Sequence, residues 1–340
     1  MFGKWAQKLI KLRRNGNARA NTAAALRFDN KANNVAIQHY SARVHTQYRQ
    51  AIFGDASGEI TGVPEKLIGQ AIAQQVRDSE QRRSAVPRLP TIIPLLLRQL
   101  RDPNASARDY VAVIKQDPVV AAAVLKIANS VYFNPYRKNV ENFEHAVANL
   151  GIDGLRLVLS TAVMQPIVRG QNSKLPKKIW DHSLACAVCC QQLAERARSD
   201  GFKAYLLGLV HDVGAVTLFN QLQAQSAAHL NSSAPSAALL AQLIEQWSQP
   251  LSYWIAQDWQ LPTEIVRALA SQHETPTESE PLLSQILRRG NCIGEAYLLV
   301  RSALMEREEL QQIMAALQCP ENLLRHLDDA FTEAVAQGRS

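Results

Sequence analysis

The feature that most limits the fold is the lack of any convincing run of alternating apolar and polar residues, the pattern typical of a half-buried strand. From Pro87 onward the sequence instead shows short helical patterns separated by turns and capping residues. Ser106-x-x-Asp109 and Asp117-Pro118 are start signals for two of these helices. A third ends at Leu150, with Gly151 as its stop. The sequence therefore predicts an all-α, multi-helix bundle.

Charge divides the chain into a basic head and a near-neutral body. Residues 1–54 contain ten Lys or Arg and one acid, a net charge of +9, whereas the rest carries 27 basic and 29 acidic residues, or −2. The total of +7 does not describe a nucleic-acid-binding body, so we expect no specific nucleic acid partner. We predict a basic helical extension with a linker over 1–84, where no chemistry is expected, a main domain over 85–285, and C-terminal helices over 286–340 packed on it.

The cellular location follows from features that the sequence lacks. No apolar run approaches the roughly 18 residues that span a bilayer, and the N-terminus lacks the apolar core and cleavage site of a signal peptide. The five cysteines, three of them in one apolar segment, suit a reducing compartment better than a disulfide framework. We therefore expect a cytoplasmic protein.

Residues 2–14 form a short amphipathic helical pattern. Phe2, Trp5 and Leu9 recur at spacings of three and four, and lysines and arginines cover the other positions. Two interpretations stay open. The helix contacts a membrane surface or a partner protein, or it packs on the body through its few apolar side chains.

The stretch most relevant to function is Gly208-Leu-Val-His-Asp-Val-Gly214, with His182 about thirty residues upstream. It places the adjacent pair His211-Asp212 between glycines and between apolar runs, and the glycines indicate an irregular turn there. A buried imidazole beside a carboxylate has two ordinary explanations: the pair binds a metal, or the two groups hydrogen-bond each other as a structural relic of such a site.

Further polar residues have competing interpretations. His182, Cys186 and Cys189 share one helical face, which could form a zinc corner, but free cysteines are among the most buried residues and core packing is favoured. Asn129 and Ser130 are interpreted as helix-capping residues, with a ligand contact as the alternative.

Taken together, these motifs resemble the HDOD domain, over roughly residues 85–280. They occur in the order and spacing of that domain: Leu89-Pro90, Asp117-Pro118-Val119, Ala128-Asn129-Ser130, Ala146 with Leu150-Gly151, Trp180-x-His182-Ser183, Gly208-Leu-x-His211-Asp212-x-Gly214, Trp259-x-Leu261-Pro262 and His273. The ordered set is far more specific than any one dipeptide in it.

The resemblance implies an output-type relative of the HD metal-dependent phosphohydrolases. Their site combines a His, an adjacent His-Asp pair and a later Asp around one or two divalent metals, which acidify a bound water and polarise a phosphoryl oxygen. Here the first three would be His182, His211 and Asp212, with Asn291 in place of the last Asp. A neutral amide cannot supply the charge that offsets a dication. We therefore expect no resident cofactor, with a divalent Mn, Fe, Ni, Mg or Zn ion as the alternative.

Two further departures from active relatives argue against cyclic dinucleotide hydrolysis. Those relatives have a Lys after the glycine that follows the His-Asp pair, whereas Ala215 follows Gly214 here. Their later His-His-Glu segment begins similarly at Gln272-His273-Glu274 and then diverges. His273 remains a candidate ligand contact.

The resemblance thus favours a non-catalytic bacterial signal-transduction or regulatory module with a degenerate metal site. Such a module would bind a signalling protein or a small-molecule ligand, and residues 2–14 would add peripheral membrane contact. The alternative is a metal-dependent phosphohydrolase that acts on a nucleotide or phosphomonoester through His182, His211 and Asp212.

Overall fold

The structure, a computed structural model, describes residues 30–54, 60, 62–85, 106–114, 118–136, 140–169, 174–229, 236–273, 277 and 280–336. Within these ranges it contains fourteen α-helices, one 3-10 turn (Ser271–His273) and no β-strand, which confirms the all-α prediction. The helices are α1 (Asn30–Phe53), α2 (Val63–Arg77), α3 (Ser79–Ala85), α4 (Ala107–Ile114), α5 (Pro118–Ala128), α6 (Phe143–Arg169), α7 (Lys174–Arg196), α8 (Gly201–Val210), α9 (Val213–His229), α10 (Ala237–Asp258), α11 (Thr263–Ala270), α12 (Leu282–Arg301), α13 (Arg307–Ala316) and α14 (Leu323–Ala336).

Several helix starts use the predicted capping chemistry. Before α4, the backbone N and the Oγ of Ser106 both donate to Asp109 Oδ2 at 2.7 Å. At α8 the acid is instead the N-cap residue itself: the Asp200 side chain accepts from the Lys203 backbone N. Gly151 is the predicted stop: its backbone is non-helical, with a left-handed φ of 69°, so one helical segment ends there and a second continues α6 after the kink. Asp117 lies outside the described residues.

Helix α7 lies at the centre of the bundle and packs against α6, α8, α12 and α14. Two glycines allow the closest of these contacts. A Cβ at Gly208 would lie 2.4 Å from Ala187 Cα, and one at Gly290 would lie 2.5 Å from Cys190 Sγ. Because α8 and α12 can approach α7 so closely, residues on the three helices meet at one point beside α7.

Helix α1 is packed on the body although it precedes the predicted main domain. It lies against α12, α10 and α13. Arg43 pairs with Glu309 at 2.6 Å, and Arg49 Nη2 donates to the Ala241 carbonyl at 2.9 Å. Residues 2–14, with their predicted amphipathic helix, lie outside the described residues.

Helix α12 bears on the predicted division of the chain. It begins at Leu282 and packs along α7, α1 and α11, so the predicted boundary at 286 falls inside a core helix. Helix α12 therefore shares a core with the helices before it, and the three-part division itself stays a prediction.

Two helical segments are apolar and long enough to cross a membrane by composition, His145–Gln165 and Gly201–Ala228. Within the protein, 83% of the qualifying window of the second is buried, and 50% of the first. Core helices commonly show this composition, so the two segments are weak evidence for membrane insertion.

Candidate metal centre

The Gly208–Gly214 stretch breaks the helix in which it lies. Helix α8 ends at Val210 and α9 begins at Val213, so His211 and Asp212 form a two-residue turn, as the flanking glycines indicated. Gly214 N donates to Ser252 Oγ at 2.9 Å, and a Cβ at Gly214 would lie 2.1 Å from the Ser248 carbonyl. The start of α9 is therefore pressed against α10, which fixes the turn.

The structure brings the three predicted metal-binding residues together. Ligand atoms of His182, His211 and Asp212 all lie within 4.8 Å of one another. In the described part of the chain, these residues are the one group of three or more His, Cys, Asp or Glu side chains so arranged. Cys186 and Cys189 are not in the group, so no zinc corner forms with His182.

His182 is held by one of its two ring nitrogens. Nδ1 donates to Asp212 Oδ2 at 2.8 Å, whereas Nε2 is buried and has no hydrogen-bond partner among the described residues. Burial alone would lower the pKa of His182, but the hydrogen bond and the charge of Asp212 outweigh it, and the pKa is raised. His182 Nε2 is therefore a buried nitrogen that is free to bind a ligand.

His211 is held in the tautomer that presents Nε2. Nδ1 donates to the Gly208 carbonyl at 2.8 Å, and burial lowers the pKa of the ring, which favours the neutral form. A backbone carbonyl bonded to one ring nitrogen, with a lone pair on the other nitrogen, is the usual arrangement of a metal-binding histidine.

Asn291 lies where the sequence comparison placed it, facing His211. Its Oδ1 is 3.0 Å from His211 Nε2. Nε2 of the neutral ring carries a lone pair and can only accept. Turning the Asn291 amide by 180° lets its Nδ2 donate to His211 Nε2, which gives both side chains a partner. The position expected to hold an acid thus holds an amide, and this amide can hydrogen-bond His211 Nε2, the nitrogen that would bind a metal.

Asp212 lies between the two imidazoles, 2.8 Å from His182 Nδ1 and 3.5 Å from His211 Nε2. Burial raises its pKa, but the neighbouring His211 and His182 rings outweigh burial and hold the pKa well below its usual value. A quarter of its side chain stays exposed, so water moderates this effect, and the carboxylate remains ionised at neutral pH.

The structure adds three residues that the sequence analysis missed. His45 Nδ1 lies 2.6 Å from Glu295 Oε1, across 250 positions of sequence, and the Tyr48 ring lies 5.0 Å from the His182 ring. Burial would lower the pKa of His45, but the hydrogen bond to Glu295 and its charge raise it overall. Chemistry was not expected in residues 1–84, yet α1 supplies two side chains here.

These groups line one cavity of about 420 Å³. Its polar walls come from α1, α7, the His211-Asp212 turn, α10 and α12, and they include His45, Tyr48, His182, Asp212 and Glu295. Three carboxylates, two imidazoles and one guanidinium therefore line one cavity, because Glu245 and Arg49 also face it.

The residues present fit a divalent cation. Two imidazoles and a carboxylate lie close enough to share an ion, and mixed nitrogen and oxygen ligands suit Mn, Fe, Ni or Zn. The buried, unpartnered His182 Nε2 is an observation in favour, because an orphaned nitrogen is costly unless a ligand meets it. When bound, such an ion would acidify water and polarise a phosphoryl group.

The remaining predicted site residues have different surroundings. The Asn129 amide donates to the Leu125 and Val140 carbonyls and accepts from Val140 N, each at 2.9 Å, so its hydrogen bonds go to the backbone. Ser130 N donates to the Ile127 carbonyl in the turn after α5. The side chain of His273 lies outside the described part of the structure, and its role as a ligand contact stays a prediction.

Comparison with known sequences gives a family. The HDOD domain family matches residues 86–275, more than half of the chain. An uncharacterized protein of Treponema pallidum (strain Nichols) is 23% identical over 216 residues, which cover 59% of this chain and 40% of that protein. The chain thus spans less than half the length of that relative.

Solved structures share the fold. An HDOD domain protein of unknown function from Geobacter sulfurreducens matches with a TM-score of 0.52 at 20% identity, over 78% of this chain and 96% of that one. A candidate metal-dependent phosphohydrolase from Shewanella amazonensis SB2B matches at 0.57 and 18%, over 81% and 99%. A candidate signal transduction protein from Marinobacter aquaeolei VT8 matches at 0.52 and 18%, over 84% and 69%.

At these identities the structural matches establish the fold alone. The family match and the motifs add the relationship, because the quoted histidines and aspartate converge on one point of this all-α bundle. This chain belongs to the HDOD domain family.

Proposed function

We propose that this chain is a non-catalytic bacterial regulatory module that transmits signals in the cytoplasm by binding a protein partner or a small ligand. The observation that carries the proposal is Asn291, whose amide lies 3.0 Å from His211 Nε2. An amide there supplies no negative charge to a dication and competes for the lone pair that a metal would use. A hydrolytic centre needs that ligand and an open position for water.

The way α1 lies on the site also favours binding over turnover. Tyr48 lies against His182, and His45 is bonded to Glu295, so these side chains bound the cavity of about 420 Å³ that a phosphoester would have to enter. Ala215 is buried and offers no cation for a phosphate at the position where hydrolytic relatives are expected to carry a Lys.

A regulatory role suits a site built from several separate helices. A ligand that contacts α1, α7 and α12 together can change how they pack, and a partner protein can read that change. The name of the Marinobacter aquaeolei protein and the family itself support signalling. Residues 2–14 would add docking to a partner or a membrane surface.

The alternative is hydrolysis of a nucleotide or phosphomonoester with His182, His211 and Asp212 around a single metal. The arrangement of their ligand atoms within 4.8 Å favours it. The two proposals differ in turnover, so turnover decides between them.

The test uses the full chain purified without chelator. Its metal content is measured, and it is then assayed against nucleoside mono- and triphosphates, cyclic dinucleotides and a simple aryl phosphate, each with Mn, Fe, Ni, Zn or Mg. We expect no hydrolysis above that of the Asp212→Ala variant. Turnover that the wild type shows and Asp212→Ala loses would overturn the regulatory proposal.

A further inference from the structure

Glu295 is a second acidic group at the site and lies one helical turn beyond Asn291. Residues four positions apart on a helix share a face, so α12 directs the acid and the amide toward the same region. Glu295 is 1% exposed, which is rare for an ionised residue without a full set of partners. Glu295 thus supplies an acidic side chain close to Asn291, which stands in place of the aspartate that the resemblance leads us to expect.

The bonding of Glu295 is incomplete. Oε1 accepts a hydrogen bond from His45, but Oε2 is buried without a partner among the described residues. His182 Nε2 and Ser248 Oγ are unpartnered in the same way, and both residues line the cavity that Glu295 lines. Three orphaned polar atoms in residues that line one cavity indicate a polar occupant, since buried polar atoms without partners are destabilising.

Charge identifies the class of occupant. Asp212 and Glu295 place two carboxylates on the cavity wall, and the other two charged residues there, Glu245 and Arg49, pair with each other at 3.2 Å. The orphaned atoms are a carboxylate oxygen, an imidazole nitrogen and a hydroxyl, all of which can bind a cation. An anion would meet two carboxylates and is disfavoured. The chemistry therefore fits a divalent metal ion that accepts mixed oxygen and nitrogen ligands.

We propose that Glu295 replaces the missing acid of the metal site, and that His45 on α1 competes with the metal ion for it. The proposal rests on the regulatory function above and names the ligand of that site. In the structure Glu295 is turned to His45 and is not within the close group of His182, His211 and Asp212. To join an ion at that group, it must leave His45.

The competition makes the site a switch. With no ion, the His45–Glu295 bond helps to hold the middle of α1 on α12. With an ion, Glu295 joins His182, His211 and Asp212, and α1 loses that attachment. The ion then regulates the position of α1 and has no role in turnover. One hydrogen bond at 2.6 Å connects metal binding to a helix outside the family-matched residues 86–275.

The test is Mn²⁺ binding to the chelator-stripped full chain, followed by electron paramagnetic resonance of free Mn²⁺. Four proteins are compared: wild type, Glu295→Gln, His45→Gln and, as a matched control, Glu309→Gln, which removes an acid that pairs with α1 through Arg43 instead. Melting curves without metal check that each variant is folded.

We expect one Mn²⁺ per wild-type chain. Glu295→Gln should weaken binding by about 10- to 100-fold, as loss of a supporting ligand does. His45→Gln should tighten it by roughly 3- to 10-fold, because it removes the competing state. Glu309→Gln should leave it unchanged. Amide exchange around residues 43–49 should rise on Mn²⁺ addition in the wild type and not in Glu295→Gln.

The opposite signs at His45 and Glu295 separate competition from a purely structural bond, which would make both variants bind alike. If His45→Gln weakens binding, or Glu295→Gln does not, the inference is wrong; should Glu295→Gln fail to fold, the His45→Gln result decides. A wild type that binds no Mn²⁺ also overturns it and leaves the regulatory proposal standing. Metal-dependent turnover would instead overturn the regulatory proposal and leave Glu295 as a ligand.

Discussion

The contact between α7 and α8 offers the sharpest test of the architecture, through Gly208→Ala. The added Cβ would lie 2.4 Å from Ala187 Cα, 2.6 Å from Ala187 N and 2.8 Å from the Cys186 carbonyl carbon. All three are backbone atoms, so no side chain can rotate away. Since ordinary contacts begin at 3.4 Å, the two helices must separate by about 1 Å.

The expected loss of stability follows from two opposing effects. Overpacking of a close contact costs about 1–3 kcal/mol, and a backbone clash belongs at the upper end. Alanine gains about 1 kcal/mol over glycine in a helix interior. The net change should be a loss of about 2 kcal/mol in the free energy of unfolding. His211 Nδ1 bonds to the Gly208 carbonyl, so a shift of α8 should weaken metal binding as well.

Urea unfolding followed by circular dichroism measures this change, with Gly69→Ala as the matched control. Gly69 is also within a helix, but a Cβ there meets only the Leu239 Cδ1 atom, at 2.9 Å, and that side chain can move. The control should change stability by less than about 1 kcal/mol. If Gly208→Ala is as stable as wild type, the close approach of α7 and α8 is wrong, and with it the placement of His211.

Three further predictions concern the site and its support. Because the pKa of Asp212 is lowered in the folded state, its stabilising contribution should be present above its ordinary pKa of about 4 and be lost as pH falls further. Urea unfolding with EDTA should therefore show that the difference in unfolding free energy between wild type and Asp212→Asn shrinks from pH 7 to pH 3. A difference that stays constant with pH would contradict the lowered pKa. Asn129→Ala should cost about 1–3 kcal/mol of unfolding free energy, because the backbone N–H and the carbonyl of Val140 both lose the Asn129 amide. Mn²⁺ affinity should stay the same, and a change in affinity would mean that Asn129 contacts the ligand. Asn291→Asp should tighten Mn²⁺ binding by about tenfold or more through the added charge without creating phosphoester hydrolysis, and unchanged affinity would show that this position does not face the ion.

The sequence predicted those features that depend on residues close together in the chain or on the order of its motifs. Helix periodicity and capping predicted the all-α fold, and the order of motifs indicated the family and the convergence of His182, His211 and Asp212. Asn291 was placed by its position after the motifs; in the structure its amide faces His211, and its role at a metal stays a prediction. The glycines beside His211 correctly indicated a turn, because they mark both the break and a close helix contact.

The sequence did not predict the part of the site that α1 supplies. His45 and Glu295 are 250 positions apart, and a lone histidine in a polar helical segment carries no local sign of a distant acidic partner. Glu295 had one usable signal, its place one turn beyond Asn291 on the same helical face. Its burial depends on how α1 packs on α12, which periodicity alone does not specify.

The position of α1 has a consequence for how this family can diversify. The cavity that holds His182 and Asp212 is completed by His45, Tyr48 and Glu295, all of which fall outside the family-matched stretch 86–275. Relatives can therefore keep one inner framework and acquire different ligands by exchanging the helices that flank it. A fragment trimmed to the matched stretch would keep His182, His211 and Asp212 and lose three of the side chains that line this cavity.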